Sequence, residues 1–308
     1  MTAHQGRIGG DDLTYLESAT VLQHKEVAPD TYIVEVKAPR IAAAARPGQF
    51  VHLIVHARGT GGERSARRGR SARDPLLRRP LSVHDVNLAR GSILLLYAVR
   101  GTGTALLSQA EPGEGLDIMG PLGHGFTIPG SDQAFRALLV GGGVGIAPMV
   151  FLSRVLAGQN ARATVLYGAS SSAHVDAVIP GLMASGCNAS VATLDGSAGV
   201  HGPVTDLLPD AHRAPSGGGR PYDFVYTCGP EPMMAAVARW AAGRGIRGEV
   251  SLEAHMACGV GACLGCARAL VTAPGQPPSY AKVCVDGPVF SMDQVVLYDT
   301  AHEGVEHR

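Results

Sequence analysis

Short segments in which apolar and polar residues alternate fill the first part of the chain. Six of them lie between Tyr15 and about Thr127, separated by Gly, Pro, Asp and Asn: ESATVLQHKEV, TYIVEVKAP, GQFVHLIVH, RPLSVHDV, SILLLYAVR and GEGLDIMGPLG. Alternation of this kind predicts strands with one buried face. The expected structure for residues 15–130 is therefore an antiparallel β-barrel domain.

The pattern changes after Phe135 to apolar runs that are each followed by a helical segment. RALLVGGG precedes APMVFLSRVLAG, RATVLYGAS precedes AHVDAVIPGLMASG, NASVATLDG follows, and YDFVYTCGP precedes EPMMAAVARWAAGRG. Alternating strands and helices predict a doubly wound parallel sheet in an α/β domain over residues 134–252. The strand-like GEVSLEA then leads into a small cysteine-rich module, residues 253–290, and residues 291–308 are expected to form a loose tail.

One stretch interrupts the barrel pattern. Residues 57–76 are rich in Gly, Ser and Arg and almost free of apolar side chains. Such a segment cannot bury enough apolar surface to pack, so it is predicted to be a flexible insertion between two strands. A basic docking arm is the alternative interpretation.

Composition excludes several classes of protein. The chain has 308 residues, 45% of them hydrophobic, and its 26 basic and 26 acidic residues cancel. This balance gives no general attraction for nucleic acid or an anionic membrane. No apolar run approaches the roughly 18 to 20 residues of a membrane span, and the polar start MTAHQGRIGG does not resemble a signal peptide. A cytoplasmic location is expected, which also keeps thiols reduced.

The most specific chemical signal is a run of four cysteines. Cys258, Cys263, Cys266 and Cys284 have the spacing C-x4-C-x2-C-x17-C, with glycine and other small residues between the first three. This is the ligand spacing of plant-type [2Fe-2S] centres. A zinc site is less consistent, because zinc sites usually pair their thiols as two C-x2-C units, and disulfides are a further alternative.

A glycine-rich loop follows the first strand of the predicted parallel sheet. Gly141, Gly142, Gly143 and Gly145 stand between Leu138-Leu139-Val140 and a helix with an early proline. A pyrophosphate could bind where such a helix begins. The loop is not a strict G-x-G-x-x-G sequence. The interpretation as a pyrophosphate-binding loop therefore depends mainly on its position after the first strand of the predicted parallel sheet.

Four shorter motifs are weaker by themselves. Arg79-Pro80-Leu81-Ser82 lies in a predicted barrel strand, and Gly101-Thr102-Gly103-Thr104 begins a predicted helix; together they could bind a phosphate, or be a surface arginine and an ordinary helix cap. Cys228-Gly229-Pro230 ends a strand of the parallel sheet, where ligands bind in such folds. A buried cysteine before a turn is the alternative. Asp195-Gly196-Ser197 could also touch a ligand, but a turn after a strand explains it adequately.

The order of these motifs resembles a known family. RPLS, LLLYAVRGTGT, LDIMGPLGHGF, GGGVGIAPM, TLDGSAGVHGPVTD, TCGPEPMM, SLEAHMACGVGACLGCA and VCVDGPVF follow one another through about residues 15–290. The chain resembles the electron-transfer subunits of NAD-dependent (class 1B) dihydroorotate dehydrogenases, within the ferredoxin-NADP reductase superfamily. The cysteine run and its flanks are the most specific part of the likeness.

The resemblance implies a cofactor for each domain. It implies FAD in residues 15–130, NAD in residues 134–252 and a [2Fe-2S] cluster on the four cysteines of residues 253–290. The residues that it places at the flavin and its phosphates are Arg79, Pro80, Leu81, Ser82, Leu96, Tyr97, Val99, Gly103 and Thr104. Those that it places at NAD are Gly141, Gly142, Gly143, Gly145, Cys228 and Gly229, with Cys228 near the nicotinamide.

The resemblance also implies a partner. An FMN-containing catalytic subunit would oxidise dihydroorotate, two copies of each chain would assemble, and electrons would pass through the cluster and FAD to NAD+ for pyrimidine (UMP) biosynthesis. Related subunits serving a hydrogenase, a glutamate synthase-like enzyme or a transhydrogenase remain alternatives, as does a sensor that binds zinc or a cluster. In this chain the loop Ser170 to His174 lacks both an acid for a ribose hydroxyl and an arginine for a 2′-phosphate, so the residues there do not distinguish NAD from NADP.

Overall fold

A computed structural model of the chain describes residues 13–54, 77–128, 130, 134–159, 161–208 and 222–298. Within these ranges a six-stranded closed barrel is followed by a seven-stranded sheet and a two-stranded hairpin. This arrangement confirms the fold class predicted from the alternation pattern. The predicted insertion, residues 57–76, lies outside the described residues.

The barrel is antiparallel and has the strand order β1-β2-β5-β4-β3-β6. Its strands are β1 (Tyr15–Ala28), β2 (Thr31–Lys37), β3 (Phe50–Ile54), β4 (Arg79–Asn87), β5 (Ser92–Ala98) and β6 (Gly115–Leu122). Two short helices accompany them, α1 (Pro39–Ala44) and α2 (Thr102–Leu107). Alternate residues such as Val34, Val36 and Leu95 fill the interior. The alternation of apolar and polar residues in the sequence therefore corresponds to side chains that point into and out of the barrel.

The second sheet has the order β10-β9-β8-β7-β11-β12-β15. Its first six strands along the chain are β7 (Phe135–Gly142), β8 (Ala161–Ala169), β9 (Asn188–Thr193), β10 (Val200–His201), β11 (Phe224–Cys228) and β12 (Arg247–Ser251). The helices are α3 (Ala147–Ala157), α4 (Ser172–Ala184) and α5 (Glu231–Ala242), with 3₁₀ turns at Gly143–Ile146 and Val204–Leu207. Continuous apolar runs such as Leu138 to Val140 are wholly buried because helices cover both faces.

The strand order reverses at β7. The chain leaves β7 toward β8 on one side, and β11 later pairs with β7 on the other side, with Cys228 opposite Gly141. In open α/β sheets, ligands bind at the carboxyl ends of the strands beside this reversal. The glycine loop and the Cys228 turn therefore meet at the position where a nucleotide is expected.

The cysteine segment starts directly after β12 and contains the hairpin β13 (Ala267–Leu270) and β14 (Ser279–Lys282). The last strand, β15 (Val289–Ser291), then returns to the parallel sheet and pairs antiparallel with β12. The expectation of a loose tail from residue 291 is wrong for residues 291–298. Val295 is buried and Val296 donates a backbone hydrogen bond to the carbonyl of Ala269, so this stretch packs along β13.

The barrel, the parallel sheet and the cysteine segment share one hydrophobic cluster. It contains Phe50 and Leu122 from the barrel, Val140 from the sheet, and Cys284 and Phe290 from the last part of the chain. Helix α3 also packs on β4, where Arg154 forms an ion pair with Asp85. In the described part of the chain no helix has both the length and the apolar character needed to cross a bilayer.

Candidate functional site

An interruption between two barrel strands defines the first part of the site. Strand β4 pairs with β3 over Arg79 to Ser82. Its pairing with β5 begins only at Val83, which lies opposite Leu95. The register places Arg79 to Ser82 opposite Leu96 to Val99 without ladder hydrogen bonds between them. The open backbone groups of both segments can therefore bind a planar polar ligand. These are the two segments that the resemblance places at the flavin.

Arg79 and the start of α2 lie together at one end of this gap. A Cβ at Gly103 would overlap the guanidinium of Arg79, so the two predicted phosphate-binding motifs are in contact. Arg79 donates hydrogen bonds to the backbone carbonyls of Leu77 at 2.6 Å and Arg78 at 3.3 Å. The hydroxyl of Thr104 accepts from the backbone N–H of Arg100 at 2.9 Å.

The other predicted flavin residues contribute backbone or apolar surface. Leu96 packs against the second domain, in one cluster with Ile146. The side chain of Tyr97 points into the barrel, where its hydroxyl is 2.8 Å from Nε2 of His24 and its ring stacks on Tyr32. Burial raises the pKa of Tyr97, so its hydroxyl keeps its proton. Only the backbone of Tyr97 can face the gap.

The glycine loop is shaped by close packing. A Cβ at Gly142 would lie 2.7 Å from Sδ of Met233, and a Cβ at Gly145 would lie 2.6 Å from the carbonyl oxygen of Cys228. Gly143 has φ +55° and has no atom within 4 Å of the Cβ position. Gly143 is thus the open tip of the loop, while Gly142 and Gly145 let β11 and α5 approach it. The predicted helix start is preceded by a 3₁₀ turn, Gly143–Ile146.

Cys228 is the last residue of β11, opposite Gly141 of β7, and it is buried. Burial and the charge of Glu253 both raise the pKa of its thiol, so it stays neutral. Desolvation raises the pKa of Glu253, and the charge of Arg100 opposes that effect. Arg100 follows β5 and Glu253 follows β12, and sequence reasoning missed both of them. Both lie inside motifs quoted above, Arg100 in LLLYAVRGTGT and Glu253 at the start of SLEAHMACGVGACLGCA, but only the folded chain brings their charges together.

An acidic residue also reaches the loop after β8. The backbone N–H of Asp195 donates to the carbonyl of Ser170 at 3.3 Å, and the hydroxyl of Ser197 accepts from the N–H of Ser172 at 2.7 Å. Hydrogen bonds from Ser197 lower the pKa of Asp195. The turn after β9 therefore places an acidic residue beside the loop after β8. The sequence analysis interpreted this turn as structural.

The four cysteines form a thiol-rich loop with backbone donors. The N–H of Gly261 donates to Sγ of Cys284 at 3.2 Å, and the N–H of Cys263 donates to Sγ of Cys258 at 3.4 Å. The pKa of Cys258 is lowered to about 6, mainly by hydrogen bonds from the backbone N–H groups of Val260 and Cys263. Burial, followed by the neighbouring Cys266, raises the pKa of Cys284 to about 12.

This loop suits thiolate ligands, because amide donors stabilise negative sulfur. Side-chain hydrogen bonds link Cys258 with Cys263 and Cys266 with Cys284. No three Cys, His, Asp or Glu side chains among the described residues form a group compact enough for a metal ion. To hold a cluster, all four thiols would have to face one centre. Cys263 is exposed, and its neighbour Leu264 has φ +59°, an uncommon conformation for a residue with a side chain.

His52 of β3 lies beneath this loop and is wholly buried. A Cβ at Gly259 would overlap its Nδ1. Desolvation lowers the pKa of His52 to about 4, although the nearby backbone of Arg78 and Cys258 opposes that effect. The ring is therefore neutral at pH 7. Neither ring nitrogen has a hydrogen-bond partner of good geometry.

Comparison with known proteins agrees with this geometry. Residues 253–296 match the iron-sulfur cluster binding domain of dihydroorotate dehydrogenase B. The dihydroorotate dehydrogenase B (NAD(+)) electron transfer subunit of Geobacillus thermodenitrificans is 38% identical over 281 residues, which are 91% of this chain and 98% of that protein. The subunit of the same name from Desulforamulus reducens is 41% identical over 281 residues, 90% of this chain and 97% of that protein.

A solved structure extends the likeness to three dimensions. An NADH-dependent reduced ferredoxin-NADP oxidoreductase, solved in a study of flavin-based electron bifurcation, superposes with a TM-score of 0.74 at 29% identity, covering 91% of this chain and 90% of that one. The barrel, the parallel sheet and the cysteine segment define an iron-sulfur flavoprotein of the ferredoxin reductase class. Within that class, the chain belongs to the family of electron transfer subunits of dihydroorotate dehydrogenase B (NAD(+)).

Proposed function

We propose that this chain carries electrons between a dihydroorotate-oxidising partner and NAD+. The observation that carries the proposal is the packing of the barrel, the parallel sheet and the cysteine segment around one hydrophobic core. A nicotinamide exchanges a hydride, whereas a [2Fe-2S] cluster accepts one electron at a time. FAD supplies the chemistry that links these two kinds of transfer.

We assign the following roles to the chain's own residues. Arg79, with Gly103 and Thr104 beside it, binds the FAD phosphates, and the backbone of Leu81, Ser82, Leu96 and Val99 lines the gap for the flavin ring. Gly143 leaves the loop open to the NAD pyrophosphate. Cys228, as a neutral thiol, leaves space for the nicotinamide and adds no charge. Cys258, Cys263, Cys266 and Cys284 ligate the cluster.

Asp195 supports NAD rather than NADP as the nucleotide. Its carboxylate lies beside the Ser170 to Ser172 loop and is held by the N–H and hydroxyl of Ser197 at 2.9 Å and 2.6 Å. A fixed negative charge at the carboxyl edge of β9 can accept a hydrogen bond from a ribose hydroxyl and repels a 2′-phosphate.

The exposed side of the cysteine loop is the proposed contact with the partner. Val260 and Leu264 are 50% and 63% exposed and flank the exposed Cys263. Apolar side chains around a redox ligand suit a dry contact that shortens the path of the electron. We propose that the partner is an FMN-containing catalytic subunit, that two copies of each chain assemble, and that the complex acts in the cytoplasm.

The test is NAD+ reduction driven by dihydroorotate. The tagged full-length chain is purified with the flavoprotein that it retains, and NADH formation is followed on adding dihydroorotate. Activity that is lost when the partner is removed and restored when it is returned supports the proposal. Reduction of a dye by NADH in the absence of any activity with dihydroorotate would contradict the proposed partner and favour a reductase subunit of another complex.

A further inference from the structure

The outward face of strand β3 points toward the cysteine loop. Val51 and Leu53 of this strand belong to the barrel core, whereas Phe50 belongs to the cluster shared with the sheet and the cysteine segment. His52 has the same parity as Phe50 and therefore points out of the barrel. It is nonetheless completely buried, because the cysteine segment covers it.

His52 lies between the two redox segments. On the cysteine side it lies against Gly259, the residue after Cys258, where no side chain could fit beside Nδ1. On the flavin side its strand partner is Pro80, next to Arg79. Its backbone carbonyl accepts a hydrogen bond from Nη1 of Arg78 at 3.2 Å, and Arg78 in turn is ion-paired with Asp117 at 2.9 Å. The pairing and the hydrogen bond fix the backbone of His52, and Gly259 lies against its ring.

The ring nitrogens of His52 are buried and have no hydrogen-bond partner of good geometry. Buried polar groups in proteins are nearly always paired, and an unpaired buried donor is destabilising. A neutral imidazole must carry one N–H, and the nearest segment on the cysteine side is the one that holds Cys258. A small movement of that segment would pair the donor.

We propose that His52 is a positioning residue for electron transfer, whose N–H donates to the Cys258 segment and fixes the cluster against the flavin-binding strand. The inference rests on the ligand role of the four cysteines proposed above. A reduced cluster carries one more negative charge than an oxidised one, so a donor aimed at its ligand segment stabilises the reduced state. His52 is therefore expected to raise the reduction potential of the cluster as well as hold it.

The test compares substitutions in the full-length protein with its cofactors bound. His52→Phe keeps a planar ring but removes the N–H, and His52→Gln keeps a donor. His84→Phe is the matched control, because His84 is also buried with an unpaired Nδ1 but lies in β4 against α3. Iron and FAD content, the electron paramagnetic resonance spectrum of the reduced protein, and the potential of the cluster are measured for each.

The expected result is a lower cluster potential in His52→Phe, by about a tenfold change in the equilibrium between oxidised and reduced cluster, or about 59 mV for one electron. His52→Gln should recover at least half of this shift, and His84→Phe should show none. An unchanged potential in His52→Phe, or an equal shift in His84→Phe, overturns the inference. If His52→Phe loses its cluster, the cluster potential of His52→Met is compared with that of His52→Gln. Equal potentials in these two variants overturn the inference. Absence of iron from the unsubstituted protein would instead contradict the cysteine assignment.

Discussion

Gly145 lies directly beneath the turn that carries Cys228, and a Cβ at Gly145 would be 2.6 Å from the carbonyl oxygen of Cys228. Gly145→Ala must push the loop away from β11, in the crevice proposed for the nucleotide. We expect KM for NAD+ to rise about tenfold or more, which corresponds to about 1.4 kcal/mol of binding, while FAD is retained. Steady-state kinetics of dye reduction by NADH provide the measurement.

Gly158→Ala is the control for that substitution. Gly158 follows α3, and a Cβ there would meet nothing closer than the carbonyl oxygen of Val155 at 3.4 Å. Unchanged kinetics are expected. An equal rise in KM for both variants would mean that the effect does not come from the contact between Gly145 and Cys228.

Arg79→Ala should release FAD. A hydrogen bond to a charged group contributes about 1.5 to 3 kcal/mol, so removing the guanidinium should weaken FAD binding about ten- to a hundredfold. The measurement is the ratio of flavin to protein after dialysis, with added FAD titrated back. Arg247→Ala, at the exposed start of β12, should keep its flavin. Full flavin content in Arg79→Ala would remove Arg79 from the site.

Cys263→Ser should separate the two halves of the reaction. Cys263 is the exposed member of the cysteine run and lies far along the chain from the gap between β4 and β5. We expect NADH to reduce the bound flavin at close to the normal rate, while activity with dihydroorotate and the partner falls at least a hundredfold, about 2.7 kcal/mol in the barrier. Rapid-mixing absorbance and the coupled assay measure the two steps.

The matched substitution is Cys187→Ser. Cys187 is buried in the nucleotide domain, where its thiol donates to the carbonyl of Leu182, an interaction that serine can keep. Both activities should survive. If Cys263→Ser still links dihydroorotate to NAD+, the order of electron carriers proposed here is wrong.

Acid should destabilise the contact between the barrel and the nucleotide domain through His84. Desolvation lowers the pKa of His84 from 6.5 to about 4, with a further lowering from Arg154 and an opposing effect of the backbone of Ala147. The unfolded chain therefore binds the proton more readily. The contribution of the neutral ring is complete above about pH 6.5 and is lost as the pH falls toward 4.

Denaturant unfolding at pH 7 and pH 5 measures this effect. One titrating group changes the free energy of unfolding by at most about 1.4 kcal/mol per pH unit. We therefore expect the free energy of unfolding to fall by about 2 kcal/mol between pH 7 and pH 5. His84→Gln does not titrate and should lose less stability than the unsubstituted protein over the same interval. An identical loss in both proteins would assign the acid sensitivity to other groups.

Asp195→Asn should reduce the preference for NAD over NADP. It removes the charge next to the Ser170 to Ser172 loop but keeps the shape of the side chain. We expect kcat/KM for NADP+ relative to NAD+ to rise about tenfold, a change of about 1.4 kcal/mol in discrimination. Asp176→Asn, on the exposed side of α4, is the control. A ratio that moves equally in both variants would indicate a general charge effect.

The sequence predicts those parts of the fold that depend on local patterns. Alternation gave the barrel strands, and buried apolar runs followed by helices gave the parallel sheet. Arg79 and Gly103 could be paired from their motifs, although their contact required the fold. The short strand Val289–Ser291 was interpreted as the end of a module, because three residues carry no recognisable period.

Residues that act through long-range contacts could not be found in the same way. Arg100 follows β5 and Glu253 follows β12, and the motifs around them do not indicate that these two charges interact. His52 occupies an ordinary position in an alternating strand, and only the cover provided by Gly259 shows that this outward face is buried. Asp195 was explained by its turn, because its proximity to Ser170 depends on the pairing of β8 with β9.

The return of the chain to the sheet after its last cysteine fastens the cysteine segment at both ends. Carriers that swing on a tether between docking positions slow down when glycerol thickens the solvent, since a large body must diffuse before each transfer. Because β12 precedes this segment and β15 follows it, and the two strands pair in the sheet, the segment does not need to move as a body before electron transfer. Viscosity should therefore slow the meeting with NADH or with the partner and leave the internal transfer at its normal rate.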